Sequence, residues 1–167
     1  AARQAALATE LVKSAKVEAI AIGSAKAQLD FLAGQLSAYP EITLFETPDE
    51  PGLPLDARMR LDTSHLVTNL AAWVSGWDRW LAIQAKLARA FDPDLIISDC
   101  SPQPILLAKQ LSRDSLFISN FTWFEVYEGL CDSRFEMSFM RFAYTNATSY
   151  IWLAGSDPRV QHDCGFF

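Results

Sequence analysis

Two short polar stretches in the second half of the chain carry residue types that could bind and deprotonate a hydroxyl group. They are Asp-Cys-Ser-Pro at 99–102 and Ser-Asn-Phe-Thr-Trp at 119–123. An aspartate can act as a general base or bind substrate hydroxyls. An asparagine can hydrogen-bond a hydroxyl, and a tryptophan can stack on a sugar ring. We take Asp99 as the candidate catalytic residue, and the candidate substrate-binding residues are Ser101, Asn120, Thr122 and Trp123.

Structural interpretations of the same residues stay open. Asp99 could cap the following helix or belong to a turn. Thr122 has the residue type and the position of a helix N-cap, and Trp123 could pack in the core instead of lining a cleft. Glu125 and Glu128 lie three residues apart on the next predicted helix, where a solvated face is the favoured explanation.

Other residue types offer weaker candidates. On paper, Ser101, His65 and Asp99 make a Ser–His–Asp set, but no glycine-flanked nucleophile elbow accompanies them, so we discount it. His162 lies in the predicted tail, and the helical spacing of Trp73 and Trp77 favours packing over ligand binding. The sequence has no P-loop, no G-x-G-x-x-G and no H-E-x-x-H motif. We expect neither a metal site nor a covalently bound cofactor.

Composition excludes several classes of function. The chain has 167 residues, of which 50% are apolar and 20% charged, as in a globular domain of ordinary size. Its 14 Lys+Arg against 20 Asp+Glu argue against nucleic-acid binding, which needs clustered cations. No apolar run reaches the roughly 20 residues of a membrane span, and no secretory signal opens the chain. The 3 cysteines have neither zinc nor disulfide spacing, which predicts a cytoplasmic setting.

Apolar periodicity predicts alternating helices and strands. Helices are predicted over 1–13, 25–36, 64–91, 102–112 and 122–147, the last broken near Gly129 or Asp132, and strands over 17–22, 42–45, 94–99, 116–119 and 150–153. Loops are predicted over 47–62 and 154–167. Because each strand is apolar throughout, we expect a Rossmann-like, doubly wound α/β fold, a parallel sheet with helices on both faces. Ligands bind beyond the carboxyl ends of such strands, where both polar stretches fall.

The opening of the sequence is unusual for this fold class. Such a domain normally begins with a strand and a glycine-rich turn before its first helix. This sequence opens directly in a helix, so we expect the first strand to be missing from residues 1–167. The apolar end Gly165-Phe166-Phe167 needs a surface to pack on, either an absent domain or another copy of the chain. We therefore expect one domain that is incomplete at both ends.

The stretch from Pro93 to Leu130, PDLIISDCSPQPILLAKQLSRDSLFISNFTWFEVYEGL, resembles the amino-terminal domain of GT-B glycosyltransferases. The likeness is greatest to predicted glycosyltransferases related to the MurG group and to the domain in front of L-arabinokinase. It covers most of the chain and is weak over 46–62. Residues 1–10 look like the remainder of the first helix of those proteins. Their glycine-rich turn, with its histidine at the catalytic cleft, is not in this sequence.

The resemblance implies an enzyme of two Rossmann-like domains with its active site between them. This chain would be the acceptor-binding domain, and an absent carboxyl-terminal domain would bind the nucleotide-sugar donor, a co-substrate. The implied chemistry is metal-independent sugar transfer, with Asp99 and Asn120 at the acceptor side and Ser101 and Trp123 lining it. The chain alone is expected to be inactive. Two other functions stay open: a non-catalytic sugar-binding or regulatory domain fused to a sugar kinase, and a nucleotide-sugar epimerase.

Overall fold

The computed structural model describes residues 1–14 and 17–156. The chain divides into two compact units, Ala1–Glu50 and Pro51–Phe167. The α/β class and the parallel strands are confirmed, but the strands pair as a two-stranded and a three-stranded sheet rather than as one sheet. Within the described ranges, no helix combines the length and the apolar character needed to cross a membrane. His162 and most of the predicted tail lie outside those ranges.

The first unit is a pair of parallel strands with two helices. Its elements are α1 (Ala2–Ser14), β1 (Ile20–Ser24), α2 (Lys26–Leu36) and β2 (Ile42–Glu46). The strands pair in parallel register, with Ile20 opposite Ile42. Small and branched side chains of both helices form the buried core, namely Ala5, Ala8, Leu32 and Leu36. A helix joins the two strands because parallel neighbours need a long crossover connection.

The second unit contains the three-stranded parallel sheet and the remaining helices. The helices are α3 (Thr63–Ser75), α4 (Trp77–Phe91), α5 (Gln103–Leu111), α6 (Trp123–Glu128) and α7 (Arg134–Tyr144). The strands are β3 (Leu95–Asp99), β4 (Asp114–Ser119) and β5 (Ser149–Trp152), in the order β3-β4-β5. Leu95 pairs with Asp114 and Leu116 with Ser149, so all three strands run in the same direction.

Aromatic side chains fill much of the core of the second unit. Phe117 on β4 is fully buried and meets Tyr144, Tyr150 and Trp152 edge-on, at ring-centroid distances of 5.4, 6.2 and 5.6 Å. Edge-to-face pairs of this kind stabilise a core beyond the apolar area they bury. Trp77 is also fully buried, so its predicted packing role is confirmed.

The helix predicted over 64–91 is two helices that meet at Gly76. The backbone N–H of Gly76 donates to the carbonyls of Ala72 and Trp73 at 3.2 and 3.1 Å, and its own carbonyl accepts from the Trp80 N–H at 3.0 Å. Gly76 therefore ends α3 and begins α4. Glycine is a poor helix former and a common site of helix bending, which explains the break. The predicted break near Gly129 or Asp132 is confirmed, because α6 ends at Glu128 and α7 begins at Arg134.

The part of the predicted loop that lies in the second unit is held by specific contacts. Leu55 and Leu61 form an isolated antiparallel bridge around a turn. In that turn, the Asp56 carboxylate accepts hydrogen bonds from the Arg58 and Arg60 backbone N–H groups and from the Arg60 guanidinium. The buried Tyr127 hydroxyl donates to the Gly52 carbonyl at 3.1 Å. This segment therefore contains a turn stabilised by hydrogen bonds, and the Tyr127 hydroxyl links the segment to α6.

Candidate functional site

The candidate site lies at the carboxyl edge of the three-stranded sheet. Asp99, the last residue of β3, pairs in register with Ile118, and Ser119, the last residue of β4, pairs with Trp152. Because the strands are parallel and in register, the loops at 99–102 and 119–123 leave the sheet at the same edge. We name them the first site loop and the second site loop. Their predicted location at one edge of a parallel sheet is confirmed.

The side chain of Tyr144 joins the two site loops. Its hydroxyl accepts a hydrogen bond from the Trp123 backbone N–H at 3.1 Å and donates one to the Cys100 carbonyl at 2.8 Å. Tyr144 is 1% exposed and comes from the end of α7. A second link joins the loops directly, because the Cys100 thiol lies 3.8 Å from the Phe121 carbonyl oxygen. The structure therefore shows two separate contacts between the loops.

The first site loop has an uncommon backbone conformation. Cys100 has a φ of 73°, in the left-handed region that residues with a side chain rarely occupy. The Ser98 hydroxyl donates to the Ser101 carbonyl across this turn, and Ser98 and Cys100 are both buried. These contacts fix the loop between Asp99 and the first turn of α5, and Asp99 and Ser101 lie there partly buried.

Thr122 is the N-cap of α6 and forms a capping box with Glu125. Its hydroxyl accepts from the Glu125 N–H at 3.2 Å and donates to the Glu125 carboxylate at 2.8 Å, and that carboxylate also accepts from the Thr122 N–H. Thr122 is fully buried. Its predicted capping role is confirmed, and we assign it to structure rather than to substrate. The solvated face predicted for Glu125 is wrong, whereas Glu128 is exposed.

Trp123 and Asn120 occupy different environments in the second site loop. The Trp123 indole stacks on Tyr127 at 5.3 Å and meets Phe121 edge-on at 5.6 Å. It is partly buried and packs against the core, so its predicted packing role is confirmed, and a role in lining a cleft stays a prediction. Asn120 is also partly buried. Its side-chain amide carries two N–H donors and one acceptor oxygen, the groups needed to hydrogen-bond a hydroxyl.

His65 belongs to a separate pair on α3. Its Nδ1 lies 2.6 Å from an Asp62 carboxylate oxygen, so the Ser–His–Asp set through Asp99 does not form. Hydrogen bonds from the His65 side chain, from the His65 N–H and from Ser64 hold the pKa of Asp62 well below its usual range. Over residues 1–14 and 17–156, no three His, Cys, Asp or Glu side chains lie close enough together to hold a metal ion.

Glu125 and Tyr144 shape the site in roles that were not predicted from the sequence. Glu125 could have been found, because Thr122 and Glu125 match the S/T-x-x-E pattern of a capping box. Tyr144 had no such signal, since it lies 44 residues from Cys100 and 21 from Trp123. Only the packing of α7 against α3, α5 and α6 brings its hydroxyl to both loops.

Comparison with known proteins supports the fold. No protein-family model and no curated protein sequence matches the chain. The structure resembles a crystal structure of UGT89C1 from Arabidopsis thaliana complexed with UDP-L-rhamnose, with a TM-score of 0.56 and 13% sequence identity. The match covers 90% of this chain and 40% of that one. The chain thus has an α/β fold of parallel sheets flanked by helices that resembles one half of a GT-B glycosyltransferase.

Proposed function

We propose that the chain is the acceptor-side domain of a GT-B glycosyltransferase that uses a nucleotide-sugar donor. The observation that carries the proposal is the pair of site loops, which leave neighbouring parallel strands at one edge and are joined through Tyr144. Ligands of open parallel sheets bind at such an edge. The resemblance to half of a UDP-sugar-bound protein supports this proposal, and it favours a UDP-sugar as the donor.

The proposed reaction is a single displacement at the anomeric carbon of the sugar. The acceptor oxygen attacks that carbon, the bond from the carbon to the diphosphate oxygen breaks, and the nucleoside diphosphate leaves with the electron pair. The acceptor hydroxyl gives its proton to a base, for which Asp99 is our candidate. No metal ion takes part in the proposed step, and the configuration at the anomeric carbon inverts.

The remaining site residues bind and orient the acceptor in this proposal. The Asn120 amide hydrogen-bonds an acceptor hydroxyl, and Ser101 lines the same side from the first site loop. The exposed part of the Trp123 ring stacks on the acceptor. The donor binds to a carboxyl-terminal domain outside residues 1–167. The kinship with the MurG-like group and with the domain in front of L-arabinokinase is part of the proposal and rests on the stretch from Pro93 to Leu130.

The test is a transfer assay on the full-length polypeptide with UDP-glucose and UDP-L-rhamnose as donors and a panel of phenols and sugars as acceptors. Asp99→Asn should lower the transfer rate by about 100-fold or more, as expected for loss of a general base. Asp114→Asn is the matched control, because Asp114 is an exposed aspartate at the other end of the same sheet. It should keep the rate within about twofold.

A second pair of variants tests whether the Asn120 side-chain amide binds the acceptor. Asn120→Ala should raise the KM for the acceptor, whereas Asn69→Ala, which removes an exposed amide on α3, should not. Wild-type transfer rates in both Asp99→Asn and Asn120→Ala would refute the proposed site. Conversion of the nucleotide sugar in the absence of any acceptor would instead identify an epimerase. Sugar binding without transfer or conversion would identify a binding domain.

A further inference from the structure

Tyr144 combines deep burial with two hydrogen bonds to backbone groups that are distant in sequence. Its hydroxyl contacts the first site loop at the Cys100 carbonyl and the second at the Trp123 N–H. Its ring is held independently of the hydroxyl, because it packs edge-on against Phe117 at 5.4 Å. Its own backbone carbonyl accepts a hydrogen bond from the Tyr150 hydroxyl at 2.7 Å.

We propose that Tyr144 is a positioning residue that makes the two site loops open and close as one body. Asp99 and Ser101 lie in one loop and Asn120 and Trp123 in the other, so the Tyr144 hydroxyl sets the spacing between the two sets of side chains. This inference rests on the proposed function only for its effect on the acceptor. The coupling of the loops is a property of the fold.

The contacts of Cys100 and Trp123 explain why a hydroxyl at this position couples the loops. Cys100 has a left-handed backbone conformation, and the hydrogen bond to its carbonyl restrains the peptide group between Cys100 and Ser101. The Trp123 N–H belongs to the first turn of α6, where backbone N–H groups lack intrahelical partners. One buried oxygen therefore restrains both a strained turn and a helix start. Small errors in such spacing weaken the alignment of reacting groups strongly.

The experiment compares Tyr144→Phe with Tyr150→Phe in the full-length polypeptide. Both changes remove one hydroxyl from a tyrosine that packs against Phe117. Tyr150→Phe removes the hydrogen bond to the Tyr144 backbone carbonyl but not the two hydrogen bonds that the Tyr144 hydroxyl makes to the loops. Alkylation of Cys100 by iodoacetamide reports on the first loop, and hydrogen–deuterium exchange of the Trp123 amide reports on the second. Cys131, a partly exposed free thiol, is the internal reference for alkylation.

We expect Tyr144→Phe to raise the rate of Cys100 alkylation and the rate of Trp123 amide exchange about tenfold each, because each loop loses one hydrogen bond of typical strength. Tyr150→Phe should leave both rates near those of the wild-type protein. Tyr144→Phe should also raise the KM for the acceptor while the KM for the UDP-sugar stays unchanged, a split that general loss of stability would not give. The coupling of the loops can also be tested in the wild-type protein. Its Cys100 alkylation and Trp123 exchange should share one dependence on denaturant concentration.

Each outcome decides a separate point. Unchanged Cys100 and Trp123 rates in Tyr144→Phe, or different denaturant dependences in wild type, would overturn the coupling whatever the activity. If Tyr144→Phe raises the alkylation and exchange rates but leaves the acceptor KM of an active enzyme unchanged, the positioning role is overturned. If wild type transfers no sugar, the proposed function fails, and the alkylation and exchange rates still decide whether Tyr144 couples the loops.

Discussion

The structural role of Thr122 can be tested against a substrate-binding role by replacing it with valine. Thr122→Val keeps the branched shape of a fully buried side chain and removes only its hydroxyl. Two hydrogen bonds of the capping box are lost, the one from the Glu125 N–H at 3.2 Å and the one to the Glu125 carboxylate at 2.8 Å. The bond from the Thr122 N–H to that carboxylate stays.

The expected cost follows from these two contacts. Loss of an N-cap costs about 0.5–2 kcal/mol, and loss of a hydrogen bond to a charged group about 1.5–3 kcal/mol. The two terms overlap, so we expect the free energy of unfolding to fall by about 2–3 kcal/mol. The melting temperature should fall by roughly 5–10 °C for a chain of this size. Thr122→Ser, which keeps both hydrogen bonds and loses one buried methyl group, should cost about 1 kcal/mol.

Urea denaturation of the variants measures these changes. Thr145→Val is the matched control, because the exposed Thr145 hydroxyl donates to the Phe142 carbonyl at the end of α7 and should be worth less than about 0.5 kcal/mol. Transfer assays at a temperature where every variant is folded should give near wild-type acceptor KM values for Thr122→Val. Wild-type stability together with a loss of transfer in Thr122→Val would show that the hydroxyl faces the substrate and would refute the structural assignment.

Two further predictions concern stability in each unit. In Gly23→Ala the new Cβ would lie 2.7 Å from the Phe45 ring, so thermal unfolding should show a free energy of unfolding lower by about 1–3 kcal/mol. The control Gly34→Ala, which has open space around it on α2, should raise the free energy of unfolding by about 0.5–1 kcal/mol. Equal effects of the two substitutions would refute the packing of Phe45 on Gly23. Because the pKa of the Asp62 carboxyl is lower in the folded than in the unfolded chain, its contribution to stability is complete above about pH 5 and is lost as the pH falls further. Asp62→Asn should therefore lose less stability than wild type between about pH 5 and about pH 2, and parallel curves would contradict the hydrogen bonds seen at His65.

Local sequence patterns were sufficient to predict the strands and loops of the candidate site but not the contacts that hold the loops. The apolar runs at 94–99 and 116–119 are strands within two residues of the predicted bounds, because continuous apolar sequence between polar breaks is typical of buried parallel strands. The position of Asp99 and Asn120 at strand ends follows directly from those bounds. The capping box of Thr122 is also local, since its partner lies three residues away.

The remaining features depend on contacts that sequence periodicity does not encode. The break at Gly76 competes with an apolar pattern that continues through it, and one glycine does not decide between a bend and a continuous helix. The contacts of Tyr144 span 44 and 21 residues, and α7 brings that side chain to the loops only after it packs on α3, α5 and α6. Patterns of local hydrophobicity identify α7 as a helix and say nothing about which backbone groups its tyrosine reaches.

The backbone conformation of Cys100 gives an independent reason to place function at the first site loop. The structure shows a positive φ at four described residues other than glycine, and three have local explanations: Asp92 and Ser112 end α4 and α5, and Met59 lies in the turn closed by Asp56. Cys100 instead follows a parallel strand, where such strain costs about 1–2 kcal/mol. Strained residues of this kind persist where surrounding contacts hold them, and they concentrate at functional sites. The carbonyl of Cys100 is held by Tyr144, so the residue that restrains the strain also joins the loops, which is the arrangement expected if the spacing of Asp99 from the second site loop matters to the protein.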